Sequence, residues 1–262
     1  MTETGGLSLG LALPFVGTAL GAACVWLMKG EFSAPLRKAL LGFAAGVMVA
    51  ASVWSLLIPS IEFGDPESAA RVVPAAAGFI AGVLFLLLID RLTPHQHSFD
   101  SKSEGPQSGL SRAAKLVLAV TIHNIPEGIA VGITLAGALE ESGFITMAGA
   151  MALSVGIAIQ NFPEGAIVAM PLHEHGAGKL RAFLAGALSG AVEPAAAILT
   201  MLIASVMLPM FPYLLAFGAG AMIYVVVEEL IPATAEGEHS DLGTLGFAAG
   251  FALMMVLDVV LG

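Results

Sequence analysis

Eight long apolar stretches dominate this chain of 262 residues. Each stretch is long enough to cross the ~30 Å hydrocarbon core of a bilayer as a helix. Backbone polar groups inside a membrane need internal partners, and helices supply them. The stretches, called helices 1 to 8 in chain order, cover about residues 7–28, 36–61, 72–91, 111–139, 143–171, 180–208, 211–234 and 242–261. The sequence therefore predicts an all-α membrane protein with one transmembrane domain over residues 1–262.

The composition is typical of a membrane protein, since 57% of the residues are hydrophobic and 11% are charged. The expected partners are the lipid bilayer and a small ion, with a homodimer as a candidate assembly. No nucleic-acid partner is expected. No basic segment precedes helix 1, so we expect it to stay as a membrane helix rather than to be cleaved as a signal peptide.

The few cations are distributed unevenly between the connections. All but Arg71 flank the 1–2, 3–4 and 5–6 connections: Lys29, Arg37, Lys38, Arg91, Lys102, Arg112, Lys115, Lys179 and Arg181. Because cytoplasmic loops are enriched in Lys and Arg, we expect these connections in the cytoplasm. Both termini would then lie outside a cell (inner) membrane. The 7–8 connection falls on the same side although it is acidic, with Glu236, Glu238 and Asp241.

The 3–4 connection contains a stretch of soluble composition, residues 93–111, rich in Ser, Gly, Pro and Gln. This composition predicts a disordered cytoplasmic loop. His95 and His97 near its start either collect metal or are solvated side chains.

Two similar six-residue phrases, 123–128 and 160–165, begin 37 positions apart in helices 4 and 5. Each phrase has an imidazole or amide at position i and a carboxylate at i+4, which places both groups on one face of a helix. Each also contains a proline, which leaves the carbonyl of Ile122 or Ile159 without its helical partner. In a membrane this defect indicates a polar cavity.

Three glutamates are expected at one depth. Glu127 and Glu193 each come 12 residues after a basic anchor, which is ~18 Å along a continuous helix, and Glu164 lies at ~14 Å. A lone charge in hydrocarbon costs ~2.5–3.5 kcal/mol on insertion scales, and no Lys or Arg is expected at this level. Protons or a bound cation must therefore balance the carboxylates.

Neighbouring polar side chains favour a bound cation, rather than protons, as the balancing charge. The sequence places near the glutamates an imidazole and three amides, from His123, Asn124, Gln160 and Asn161. Oxygen and imidazole ligands suit Zn²⁺ as the transported substrate, with Fe²⁺, Mn²⁺, Cd²⁺ or Co²⁺ as further candidates. On this interpretation the chain is not an enzyme.

Two other functions stay open at this point. Carboxylates and a histidine around a metal can activate water, as in an intramembrane metallohydrolase, although the sequence has no His-Glu-x-x-His phrase. The second open function is a proton-coupled carrier of a small organic solute. Against this function, the sequence places no arginine at the membrane midplane that could hold an anion.

An internal repeat relates helices 1–3 to helices 6–8. Residues 43–48 of helix 2 resemble residues 217–222 of helix 7. Five residues of helix 3 recur 168 positions later in helix 8, namely Gly78, Phe79, Ala81, Gly82 and Asp90. Helices five apart run in opposite directions, so the repeat predicts an inverted 3+2+3 arrangement. Chance recurrence of small-residue packing patterns is the alternative.

At the two phrases the chain resembles the ZIP family of zinc and iron transporters, and the resemblance covers all eight helices. It implies import of the ion into the cytoplasm through a midplane two-metal centre on helices 4, 5 and 6. It implies one metal at His123, Glu127, Gln160 and Glu164, with Glu127 and Glu164 bridging, and a second metal completed by Asn124, Asn161 and Glu193.

Further expectations follow from the same resemblance. Met48 is similar to the thioether that joins the first metal in bacterial members, and Ser55 would line the entrance. Many members have histidine at the position of Gln160 and some have aspartate at that of Asn161. Neutral amides there would weaken the second metal. The resemblance also implies that helices 4 and 5 move against the repeated helices.

The exit path is expected toward the cytoplasmic end. Its candidate residues are His173, Glu174 and His175 at the end of helix 5, and Glu228 and Glu229 in helix 7. For His173 and Glu174, the alternative is that they only terminate a helix near the lipid headgroups.

Overall fold

A computed structural model of the chain describes residues 3–27, 32–94, 105–140, 145–206 and 208–261, and every regular element in these ranges is helical. Within these ranges, eight helices are long and apolar enough to cross a membrane. They extend over Thr4–Leu27, Ala34–Glu62, Ala69–Leu92, Ala114–Leu139, Met147–Glu174, Lys179–Ala204, Phe211–Ala235 and Leu242–Leu261. The eight predicted helices are confirmed, and the chain is an integral membrane protein.

Helices 2 and 8 pack together in the same way as helices 7 and 3. Gly46 of helix 2 lies against the backbone of Phe247 of helix 8, where an added Cβ would come within 2.1 Å of the carbonyl oxygen. Gly220 of helix 7 has the same relation to Phe79 of helix 3, at 2.0 Å. The sequence repeat relates these four residues pairwise. The predicted inverted repeat is therefore confirmed in the packing.

Helices 1 and 5 form a second pair, equivalent to helices 6 and 4. Gly165, which ends the second phrase, faces the carbonyl of Thr18 in helix 1, and an added Cβ would lie 2.0 Å from that oxygen. Gly128, which ends the first phrase, faces the carbonyl of Glu193 in helix 6, with a corresponding distance of 2.4 Å. Thr18 and Glu193 thus occupy equivalent positions in the repeat.

Helix 6 is interrupted, which its apolar pattern did not predict. It consists of Lys179–Ser189 and Val192–Val206. At the interruption Gly190 faces Thr18, and a Cβ on Gly190 would lie 2.7 Å from the Cβ of Thr18. Glu193 therefore stands in the first turn of a half-helix. The expectation of one continuous helical rise up to Glu193 is wrong.

Helices 2 and 7 each contain a π-helical stretch, at Ser52–Leu57 and Val226–Leu230. The two stretches are equivalent in the repeat, and each directly precedes an Ile-Pro pair. Such stretches are rare and occur frequently at functional sites. They hold two residues of interest here, Ser55 and Glu229.

The acidic 7–8 connection packs against the cations that begin helix 2. Nη2 of Arg37 lies 3.1 Å from Oε2 of Glu236, and Nζ of Lys38 donates to the carbonyl of Glu238 at 2.5 Å. These contacts explain why acidic residues are found among otherwise basic connections. We call this end of the bundle, where helices 2, 4, 6 and 8 begin, the basic end.

Much of the predicted disordered loop, residues 93–111, lies outside the residues that the structure describes. Residues 95–104, with His95 and His97, lie outside the described residues. The described parts of this loop, residues 93–94 and 105–111, contain no helix or strand. Disorder and metal collection in this loop stay predictions.

Candidate metal site

The structure brings together the three glutamates that the sequence singled out. Glu127, Glu164 and Glu193, on helices 4, 5 and 6, are 1%, 8% and 1% exposed. Their carboxylates interact electrostatically with one another. Three acidic groups share a buried space, which is unfavourable unless positive charge or protons accompany them.

Six buried oxygen atoms of this cluster have no hydrogen-bond partner among the described groups. They are Oδ1 of Asn124, Oε2 of Glu127, Oε1 of Gln160, Oδ1 of Asn161, Oε2 of Glu164 and Oε2 of Glu193. A buried polar atom without a partner costs ~1–3 kcal/mol, so such atoms are few in folded proteins. Since all six are potential metal ligands, one bound cation would satisfy several of them together.

The three amides are oriented by bonds from their NH2 groups. Nδ2 of Asn124 donates to the carbonyl of Ser189 at the interruption of helix 6, at 3.1 Å. Nε2 of Gln160 donates to Oε1 of Glu127 at 2.5 Å, and Nδ2 of Asn161 donates to the carbonyl of Pro14 at 3.4 Å. Their oxygens are therefore left to accept from, or ligate, another group.

His123 faces helix 7. Its Nδ1 contacts Oε2 of Glu229, and both residues are buried. Glu229 also interacts electrostatically with Glu164. The sequence predicted Glu229 as a member of a separate exit path, and the structure adds its carboxylate to the edge of the cluster.

A cavity lies beside this edge. Its lining includes His123, Glu164 and Glu229, together with Leu41 and Leu116. The space open to the centre of a water molecule is about 30 Å³, enough for one or two waters. Leu41 and Leu116 closely follow the first residues of helices 2 and 4, so the cavity extends from the glutamates toward the basic end.

In the described part of the chain, no three His, Cys, Asp or Glu side chains already stand where they could hold one metal ion. Gln160 and Asn161 interact with Glu127, and His123 faces Glu229. The imidazole and carboxylates would therefore have to move toward each other around an ion.

The remaining predicted residues occupy three places. Met48 is fully buried within the main apolar core, and its role as a thioether ligand stays a prediction. Ser55 donates from Oγ to Oδ1 of Asp258 in helix 8, at 2.7 Å. Glu228 is exposed, in contrast to the buried Glu229.

The end of helix 5 carries the other predicted exit residues. Nδ1 of His173 lies 2.8 Å from the carbonyl of Ala177, and Nδ1 of His175 lies 2.8 Å from that of Pro171. Glu174 is exposed. These bonds are typical of a helix end, and a role in the exit path stays a prediction.

The sequence as a whole matches known transporters. The model of the ZIP zinc transporter family matches residues 94–258. The chain is 40% identical to the zinc transporter ZIPB of Bordetella bronchiseptica, over 97% of this chain and 81% of that protein. It is 36% identical to the zinc transporter GufA of Myxococcus xanthus and 35% identical to the zinc transporter ZIP11 of Homo sapiens, over 94% of both chains in each case. The chain belongs to the ZIP zinc transporter family.

One contact of this ZIP chain was missed from sequence. Thr18 in helix 1 donates from Oγ1 toward Oε1 of Glu193 at 3.1 Å. Thr18 and Ser8 are the only hydroxyl residues in the stretch predicted as helix 1, and Thr18 is the one at mid-depth. This position near the middle of helix 1 was the sequence signal for the contact. The signal is weak, because a threonine in a membrane helix commonly bonds only its own backbone.

Proposed function

We propose that this ZIP-family chain transports a divalent transition metal, with zinc as the principal substrate. The observation that carries the proposal is a group of six buried oxygens on helices 4, 5 and 6 that have no hydrogen-bond partner among the described residues. The relatives are named zinc transporters, which agrees with the chemistry of this ligand set. Their names give no support to the alternative of an intramembrane metallohydrolase.

The proposed site holds one or two ions. Glu127 and Glu164 bridge, and His123 and Gln160 complete the first ion's ligands. Asn124, Asn161 and Glu193 serve the second ion, and Met48 adds a thioether to the first. Because the amides of Asn124 and Asn161 are neutral, the second ion is held weakly and leaves readily.

The proposed direction is from outside to the cytoplasm. The basic end is assigned to the cytoplasm by its Lys and Arg residues, which places both termini outside. The cavity beside His123 and Glu164 extends toward that end, so it provides a route for release. Ser55 and its partner Asp258 would line the entrance from the opposite end.

The proposed movement is between two groups of helices. The most extensive packing joins helix 1 to 5 and helix 4 to 6, and joins helix 2 to 8 and helix 3 to 7. Helices 4, 5 and 6 carry the three glutamates, and helix 1 packs against helix 5. We propose that helices 1, 4, 5 and 6, rather than helices 4 and 5 alone as expected from the resemblance, move as a unit against helices 2, 3, 7 and 8 and present the ion to each face in turn.

The test is zinc uptake into proteoliposomes together with elemental analysis of the purified protein. Glu127→Gln and Glu164→Gln should abolish uptake and lower bound zinc, because each removes a bridging charge. Glu67→Gln is the control, since Glu67 is an exposed glutamate of the 2–3 connection. Competition with Fe²⁺, Mn²⁺, Cd²⁺ and Co²⁺ would rank the substrates. Normal uptake by both folded site variants would end the proposal.

A further inference from the structure

Helix 1 places one polar side chain against the carboxylates. Thr18 is fully buried, and its Oγ1 lies 3.1 Å from Oε1 of Glu193 and 3.3 Å from the carbonyl of Pro14. The hydroxyl thus stands between a helix backbone and the glutamate of the interrupted helix 6. The other oxygen of Glu193, Oε2, has no partner among the described groups.

Packing fixes Thr18 at this place. The carbonyl of Thr18 faces Gly165, and the carbonyl of Glu193 faces Gly128 in the same way. Thr18 and Glu193 are therefore counterparts in the inverted repeat. The side chain of Thr18 faces Gly190, where an added Cβ would come within 2.7 Å of Oγ1. The absence of a side chain at Gly190 therefore makes room for the contact between Thr18 and Glu193.

The hydroxyl has a definite effect on the carboxylate. A hydrogen bond to Oε1 restricts the rotation of the Glu193 carboxylate and leaves Oε2 available on the other side. Groups that hold a metal ligand in this way raise metal affinity, typically 10–100-fold, because the ligand is already oriented.

We propose that Thr18 is a positioning residue of the zinc site, which orients Glu193 through its hydroxyl. The inference rests on the proposed function, since it requires Glu193 to bind the ion. It extends the site to helix 1, which carries none of the ligands predicted from sequence. Thr18 acts through Glu193 and does not itself touch zinc.

The experiment compares Thr18→Val, which keeps the shape but removes the hydroxyl, with Thr18→Ser, which keeps the hydroxyl. Zinc titration calorimetry on the purified protein gives Kd, and proteoliposome uptake gives KM and the maximal rate. Thr18→Val should raise Kd of the weaker zinc site and KM by about tenfold or more. Thr18→Ser should restore both to near the wild-type values.

A matched control and a double variant separate positioning from packing. The Thr134 hydroxyl is equally buried but donates to the backbone of Ala130 and Val131 at 3.0 and 3.1 Å, so Thr134→Val should leave Kd unchanged. In a Glu193→Ala background, Thr18→Val should weaken zinc binding no further, because the side chain that Thr18 orients is gone.

Three results would overturn the proposal. If Thr18→Val keeps the wild-type Kd while Glu193→Gln binds zinc more weakly, the positioning role of Thr18 is wrong and the proposed zinc site still stands. An equal loss from Thr18→Val with and without Glu193→Ala would assign Thr18 to packing. Unchanged zinc binding in Glu193→Gln would instead remove Glu193 from the proposed site, and the positioning role with it.

Discussion

Gln160 on helix 5 donates a hydrogen bond to Glu127 on helix 4, with Nε2 at 2.5 Å from Oε1. The two residues come from the two related phrases, one from each. The bond joins the helices through their polar groups and gives the buried carboxylate a partner when no ion is bound. It also leaves Oε1 of Gln160 able to ligate, since this oxygen has no hydrogen-bond partner in the part of the chain that the structure describes.

Among variants at position 160, zinc affinity should therefore follow the strength of the side chain as a zinc ligand. Gln160→His should bind zinc more tightly than wild type, because imidazole is a common zinc ligand and an amide oxygen is a weak one. Gln160→Leu should bind more weakly, since it removes a ligand and leaves a Glu127 oxygen unpaired. Calorimetric Kd values check the order His, Gln, Leu. Equal Kd values for all three would contradict a role of Gln160 in the site.

Glu229 and Glu228 should differ in their effect on transport although they are adjacent. Glu229 is buried and contacts His123, whereas Glu228 is exposed. Glu229→Gln should reduce zinc uptake by about tenfold or more, because it removes the charge that orients the imidazole. Glu228→Gln, the matched control, should transport close to wild type. Similar initial rates for the two variants would rule out a specific role of Glu229.

The helices, the repeat and the glutamates were predictable because each is encoded in a local pattern. An apolar run must cross the bilayer as a helix, and a carboxylate four residues after an amide must share its face. The repeat of Phe43 and Gly46 at Phe217 and Gly220 was visible in the same way. These patterns need no knowledge of which helices touch.

The contacts of Thr18, Glu229 and Asn124 could not be predicted, because they depend on which distant helices pack together. The interruption of helix 6 depends on the close approach of Gly190 to Thr18, residues more than 170 positions apart. The π-helical stretch that holds Glu229 has no apolar pattern of its own. Such features depend on the pairing of distant helices, which periodicity within one helix does not reveal.

The two cations at the start of helix 2 should contribute unequally to stability. The side chains of Arg37 and Glu236 are 31% and 40% exposed, so a double-mutant cycle should give a coupling below about 1 kcal/mol that weakens with salt. Lys38 is 6% exposed and donates to the backbone of Glu238. Lys38→Met should therefore lower Tm more than Arg37→Met does.

Lys179→Met serves as the control for this prediction, because Lys179 is exposed at the same end of the bundle. Its Tm should stay near the wild-type value. Because Lys38 donates to a carbonyl, Glu238→Gln should also be neutral. A lower Tm for Arg37→Met than for Lys38→Met would refute the ranking.

The two equivalent glycines of the inverted repeat should be equally sensitive to substitution. An added Cβ would lie 2.1 Å from the Phe247 carbonyl oxygen in Gly46→Ala and 2.0 Å from that of Phe79 in Gly220→Ala. Each alanine must separate two packed helices, at a cost of about 1–3 kcal/mol or more. Thermal unfolding of the purified protein should show similar decreases in Tm. Gly109→Ala should unfold like wild type, because its Cβ would meet no atom of the described residues within 4 Å. A large effect at only one of the paired glycines would contradict their equivalence.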